Sequence, residues 1–106
     1  MKPTIYRQGD VLIASVKRLP KNMTPVDREG GRIILAHGEL TGHAHAIADQ
    51  QATLRQTAAG QLFLEILEGS ASLTHEEHST VTLPPGLYRV ARQVEYSPAQ
   101  LRNVAD

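Results

Sequence analysis

Two pentads, Thr41-Gly-His-Ala-His45 and Thr74-His-Glu-Glu-His78, hold four of the chain's five histidines. Two chemistries use such a set. Neutral imidazoles converging on one point bind a divalent transition metal, so His43, His45, His75 and His78 form one candidate ligand set. Paired imidazoles also serve as general base and general acid, because their ordinary pKa lies near the working pH. A phosphodiester beside a ribose 2′-hydroxyl calls for the second arrangement. One ring removes the hydroxyl proton, another protonates the leaving oxygen, and a cation steadies the charge on phosphorus. That route needs no metal or other cofactor. Arg7, Arg89 and Arg92 are the cations available, and Gln8 and Thr41 join them as candidates for holding substrate. The bland alternative is that the histidines are polar loop residues, a reading that suits His37 best.

Strand and turn geometry must position these groups. In an extended strand, residues i and i+2 face the same way, so His43, His45 and Ile47 project together, with Ala44, Ala46 and Ala48 opposite. Gly42 permits an unusual backbone just before the pair. His75 and His78 are three apart, which brings them together on a helical turn or a tight loop. A strand ending at Thr74 would deliver that turn to a sheet rim. Glu76 and Glu77 can orient an imidazole, and Asp49, four residues past His45, is a candidate partner behind one. Arg7-Gln8-Gly9-Asp10 reads as a polar turn before a core strand.

Strand signals run through the rest of the chain. Val11–Val16, Arg32–Ala36, Ala44–Ala48, Ala52–Thr57, Leu62–Leu67, Ala71–Thr74, Thr80–Leu83 and Leu87–Tyr96 are apolar or alternating runs bounded by turn formers. Leu62–Leu67 and Ala71–Thr74 have the spacing of a hairpin. Residues 19–31, with two prolines and a Gly-Gly pair, are a loop. Ser97-Pro98 is an N-cap and first position for a short helix ending near Ala105. The expectation is a single all-β domain over residues 1–106. It would be a small β-sandwich or cupin-like barrel of about eight short strands with a C-terminal helix.

Composition narrows the function classes. With no cysteine, the chain can form neither disulfide nor thiolate zinc site. The absence of a long apolar run and of a signal-peptide core points to a cytoplasmic protein with no membrane partner. Zero net charge argues against general coating of nucleic acid. The charge is nevertheless patterned. Residues 1–36 carry seven Lys/Arg against three acids, a net of +4, whereas residues 37–78 carry one against six, a net of −5, and hold all the histidines. A basic segment beside a histidine-rich one can draw in an anion.

Two resemblances extend this reading. Gly38, His43-Ala-His45, Asp49 and Pro84-Pro85-Gly86 partly match the outline of cupins, small barrels that bind a metal through histidines. Asp49 stands where cupins usually carry Glu, and Arg89 and Gln93 fall at the places of the later His and Asn. The second resemblance covers most of the chain. Gly9-Asp10, Thr41–His45, Thr74–His78, Leu83-Pro-Pro-Gly86 and Gln93–Pro98 are similar to a family of short bacterial and phage proteins associated with ring nucleases. These cleave the cyclic oligonucleotide messengers of antiviral defence. The resemblance implies a homodimer, a cyclic oligonucleotide ligand across its interface, and metal-independent cleavage by 2′-hydroxyl attack. A non-enzymatic module that binds such a messenger is the remaining alternative.

Overall fold

The computed structural model describes residues 3–38 and 42–93. Ten strands are present among them: β1 (Ile5–Gln8), β2 (Val11–Val16), β3 (Thr24–Pro25), β4 (Ile33–His37), β5 (Ala44–Ile47), β6 (Ala52–Gln56), β7 (Leu62–Ile66), β8 (Ala71–Thr74), β9 (Val81–Leu83) and β10 (Gly86–Arg92). They form two antiparallel sheets, ordered β1-β2-β10-β7-β6-β3 and β4-β5-β8-β9. The all-β expectation holds, as a small sandwich. The helix expected from Pro98 to Ala105 lies outside the described residues.

Each sheet contributes alternate residues to the space between them. Ile13, Leu54 and Leu64 from one sheet and Ile33, Ile47, Leu73 and Leu83 from the other are essentially inaccessible to solvent. The β-branched and leucine-rich runs thus form strands because one side of each can be buried against the opposite sheet. Tyr88 joins this core, meets Tyr6 edge to face, and donates its hydroxyl to the Pro84 carbonyl at 2.6 Å.

Three local expectations are corrected. Arg7 and Gln8 are not turn residues but the end of β1, and only Gly9 and Asp10 turn the chain into β2. Gly9 has φ 58° while Asp10 does not enter the left-handed region, the pattern of a two-residue hairpin with glycine first. The proline-bearing loop contains the short edge strand β3, where Thr24 pairs with Gln56. Strands β7 and β8 do not form a hairpin, because the chain crosses from one sheet to the other between them. Spacing alone cannot distinguish a turn within a sheet from a crossover between sheets.

The ends of the sandwich differ in chemistry. At one end Arg28 fastens the loops, donating to the carbonyls of Gly31 at 2.9 Å, Asp49 at 2.8 Å and Ala52 at 2.9 Å. Arg28→Ala should therefore lower unfolding free energy by about 1.5–3 kcal/mol, the range for hydrogen bonds to a charged group. Denaturant titration reads this loss, while in NMR spectra of the folded protein without denaturant the histidine signals at the far end should match wild type. A stability unchanged from wild type would show that these contacts do not hold the loops.

Candidate functional site

The other end gathers the chemistry. The β1–β2 turn, the end of β4, the start of β5, the loop after β8 and the end of β10 all reach this rim. Gly9, Asp10, Gly38, His43, His45, His75, Glu77, His78 and Arg92 surround an open cavity of about 510 Å³. All four histidines of the two pentads meet there. The His45 ring centre is 4.3 Å from that of His75 and 5.9 Å from that of His78, while His43 and His75 are 5.8 Å apart. His75 and His78 come together, 4.7 Å apart, on a non-helical loop.

His45 is the deepest of the four, 2% exposed, and lies on the same side of β5 as the core residue Ile47. Its Nδ1 is 2.8 Å from Gln8 Oε1. The Gln8 amide group is oriented in turn, since Nε2 donates to the carbonyls of Leu73 and Ser79, each at 2.9 Å. With those donors committed, the oxygen must face His45, so Nδ1 carries the proton and Nε2 presents a lone pair to the cavity. Burial, followed by the charge of His75, lowers the His45 pKa and favours the neutral ring.

His75 is held in the opposite sense. Its Nδ1 accepts the backbone N–H of Glu77 at 3.0 Å. A nitrogen that accepts cannot carry a proton, so the neutral ring has its N–H at Nε2. His43 Nδ1 stands 3.8 Å from Glu77 Oε1, at ion-pair distance. Glu76 Oε1 accepts the Ala44 N–H at 2.9 Å, which ties the loop after β8 to the start of β5. That backbone hydrogen bond, helped by the residue's own N–H, holds the Glu76 carboxyl below the usual range.

Asp10 and Arg92 close the rim opposite the loop. Arg92 Nε donates to Asp10 Oδ2 at 2.7 Å and Nη2 donates to the His37 carbonyl at 3.1 Å. Partial burial opposes ionisation of Asp10, but the hydrogen bond and charge of Arg92 prevail and lower its pKa. Asp10 Oδ1 is 3.7 Å from His45 Nε2.

The remaining candidates are divided. Gln8 is not a substrate-facing group: it is 2% exposed and its amide is used behind His45. Arg7 and Arg89 alternate with the inward residues of β1 and β10, so they lie on the outer face of their sheet, away from the cavity. Thr41 lies outside the described residues. Asp49 is not behind an imidazole, because its carboxylate accepts the Ser72 N–H at 3.0 Å near the opposite end. The His37 ring faces Glu29 at 3.5 Å, so only its carbonyl serves the rim.

Two glycines were not legible as site residues. A Cβ on Gly38 would come within 2.9 Å of the His43 Cβ, and one on Gly9 within 2.8 Å of His78 Nε2. Both positions leave room for imidazoles. Gly9-Asp10 and Gly38 entered the sequence reading only as parts of a turn and of motif resemblances, because their closeness to the imidazoles depends on how the strands fold together.

His45 gives the site a signature in stability. Its folded pKa lies below its unfolded value, so the unfolded state binds the proton first and stability falls as pH drops below about 6.5. One proton limits the slope to about 1.4 kcal/mol per pH unit. Asp10 and Glu76, lowered from 3.8 and 4.5, act only in more acidic solution. Between about pH 6.5 and 5, His45→Gln should thus show a shallower fall than wild type in chemical denaturation. Equal slopes would contradict the neutral, buried ring.

No curated protein and no solved structure matches the chain. A family model described as Domain of unknown function (DUF8820) matches residues 7–93. That span takes in Gln8, both histidine pairs and Arg92, so the whole rim lies within the family's domain, and the chain belongs to the DUF8820 family.

Proposed function

We propose that the rim is the active site of a metal-independent phosphodiesterase that cleaves RNA-like linkages, with a cyclic oligonucleotide messenger as substrate. The observation that carries this reading is the opposed hydrogen bonding of two neighbouring rings. His45 presents a bare Nε2 and His75 an Nε2–H, 4.3 Å apart between ring centres. A site built to remove one proton and hydrogen-bond a developing negative charge needs both kinds of nitrogen.

In this scheme His45 Nε2 takes the proton of the ribose 2′-hydroxyl. The oxygen attacks phosphorus, and a 2′,3′-cyclic phosphate forms as the bond to the 5′-oxygen breaks. His43, faced by Glu77, delivers a proton to that leaving oxygen. The His75 Nε2–H and Arg92 N–H groups that have no acceptor among the described residues donate to the phosphoryl oxygens. His78 shares the wall next to His45. The cavity is open, and its roughly 510 Å³ suits one segment of a cyclic oligonucleotide rather than the whole ring. A symmetric pair of sites in a homodimer would engage the rest.

A specific observation supports a second reading. His43, His75 and Glu76 can each offer a ligand atom within 4.8 Å of the others, a nitrogen-and-oxygen set suited to a divalent transition metal. A metal there would polarise a bound oxygen. Binding through His75 Nε2 would first require loss of its proton or of the Glu77 hydrogen bond, which ranks this reading second.

One preparation separates the readings. Cleavage of cyclic oligoadenylates in excess EDTA should persist and leave 2′,3′-cyclic phosphate ends. His45→Ala should lower kcat by roughly 10²–10⁴-fold, the contribution typical of a general base. The acid limb of kcat/KM should fall below pH 6.5, following the lowered His45 pKa. Stoichiometric metal, with activity abolished by chelation, would replace this scheme with the second reading. Tight binding without turnover would make the protein a messenger-binding module.

A further inference from the structure

A second cavity, of about 310 Å³, opens on the same rim and has Arg92 as its common wall with the histidine cavity. Leu35, Ala36, Leu62 and Val90 give it apolar walls, and besides Arg92 its one polar side chain is Gln61. The register explains its position. Pairing between β4 and β5 shifts between Ile34 and Ala36, a bulge that inserts Leu35 and brings Ala36 opposite His45. Across the gap, Leu62 at the start of β7 pairs with Val90 near the end of β10. The exposed Gln61 stands at the mouth, after the turn closed by the hydrogen bond from the Gly60 N–H to the Thr57 carbonyl at 2.8 Å.

Leu35 and Val90 are 6% and 7% exposed at the walls of this cavity, while Leu64 and Leu73, deeper in the sandwich, are fully covered. Apolar walls, one amide at the mouth and a guanidinium toward the histidines suit a flat, mostly apolar ring attached to an anionic group. The anion would sit on the histidine side of Arg92 and the ring on the other.

We propose that this second cavity is a nucleobase subsite, which takes the base of the nucleotide whose phosphate occupies the histidine cavity. The inference deepens the phosphodiesterase reading and rests on it for the choice of ligand. Leu35, Ala36, Leu62 and Val90 cover the faces of the base. Gln61 reads its polar edge, since a carboxamide can donate and accept at once. Arg92 sits where the phosphate joins, and its bond to Asp10 fixes its direction. Specificity and cleavage would then be governed by different walls of adjoining cavities.

Binding tests this without relying on cleavage. Adenosine 5′-monophosphate and ribose 5-phosphate are titrated into the full-length protein under identical salt and pH, with NMR observation of the backbone amides. The nucleotide should bind at least about tenfold more tightly, the factor that about 1.4 kcal/mol represents. It should also shift the amides of Ala36, Leu62 and Ala91, which ribose 5-phosphate leaves in place. Ala36→Phe, which fills the cavity, should bring the two affinities to parity without weakening ribose 5-phosphate. Gln61→Ala, an exposed change that does not threaten folding, should weaken only the nucleotide. Equal affinities in the wild type, binding of neither ligand, or a nucleotide advantage untouched by both variants would overturn the subsite. Cleavage of the cyclic substrate with equal affinities would reject the subsite alone. A base-dependent advantage in a protein that cuts nothing would reject the phosphodiesterase reading and leave the subsite standing.

Discussion

An imidazole buried between two sheets must have its proton received, and at this rim Gln8 receives it. An unpaired buried donor costs about 1–3 kcal/mol, which a small sandwich cannot readily absorb. Gln8 comes from the end of β1 in the six-stranded sheet, whereas His45 and the Leu73 carbonyl belong to the four-stranded sheet. The hydrogen bonds that settle the proton on His45 therefore also tie the two sheets together. Stability and the chemical state of the site share one side chain, and among the described residues no buried side-chain polar atom is left without a partner.

The remaining rim contacts share a design in which backbone groups and charges fix side chains. Glu76 holds the Ala44 N–H, the Glu77 N–H holds His75, and Arg92 joins Asp10 to the His37 carbonyl. These ties connect the loop after β8 to β5, and the β1–β2 turn to the ends of β10 and β4. Histidines close enough to repel one another when charged are thereby kept near hydrogen-bond acceptors and carboxylates. Glycines at 9 and 38 keep the crowded rings from meeting a Cβ.

Local sequence patterns made much of this visible. Alternation identified most of the strands, and the i, i+2 rule put His43 and His45 on one side of the chain that becomes β5. The pentads named four rings that meet at one cavity. Patterns failed where long-range pairing decides the outcome. Arg7 and Gln8 looked like turn residues because their strand is short and polar, yet β1 is held by its pairing with β2. Arg89 resembled a site cation, but strand alternation turns it outward between Tyr88 and Val90. Asp49 is near His45 in sequence but on the other end of β5, where it accepts the Ser72 N–H.

By itself, the sequence determined the all-β class, the absence of thiol chemistry and the histidines available for a site, because composition and short-range periodicity act within a few residues. Long-range packing parted β7 and β8 into separate sheets, set Gln8 behind His45 and gave Arg92 to Asp10. The last two depend on groups 37, 65 and 82 residues apart in the chain meeting at one rim. The proton positions on His45 and His75 were decided there as well. Which nitrogen carries the proton depends on the acceptor or donor that folding places beside it, and no local pattern contains that neighbour.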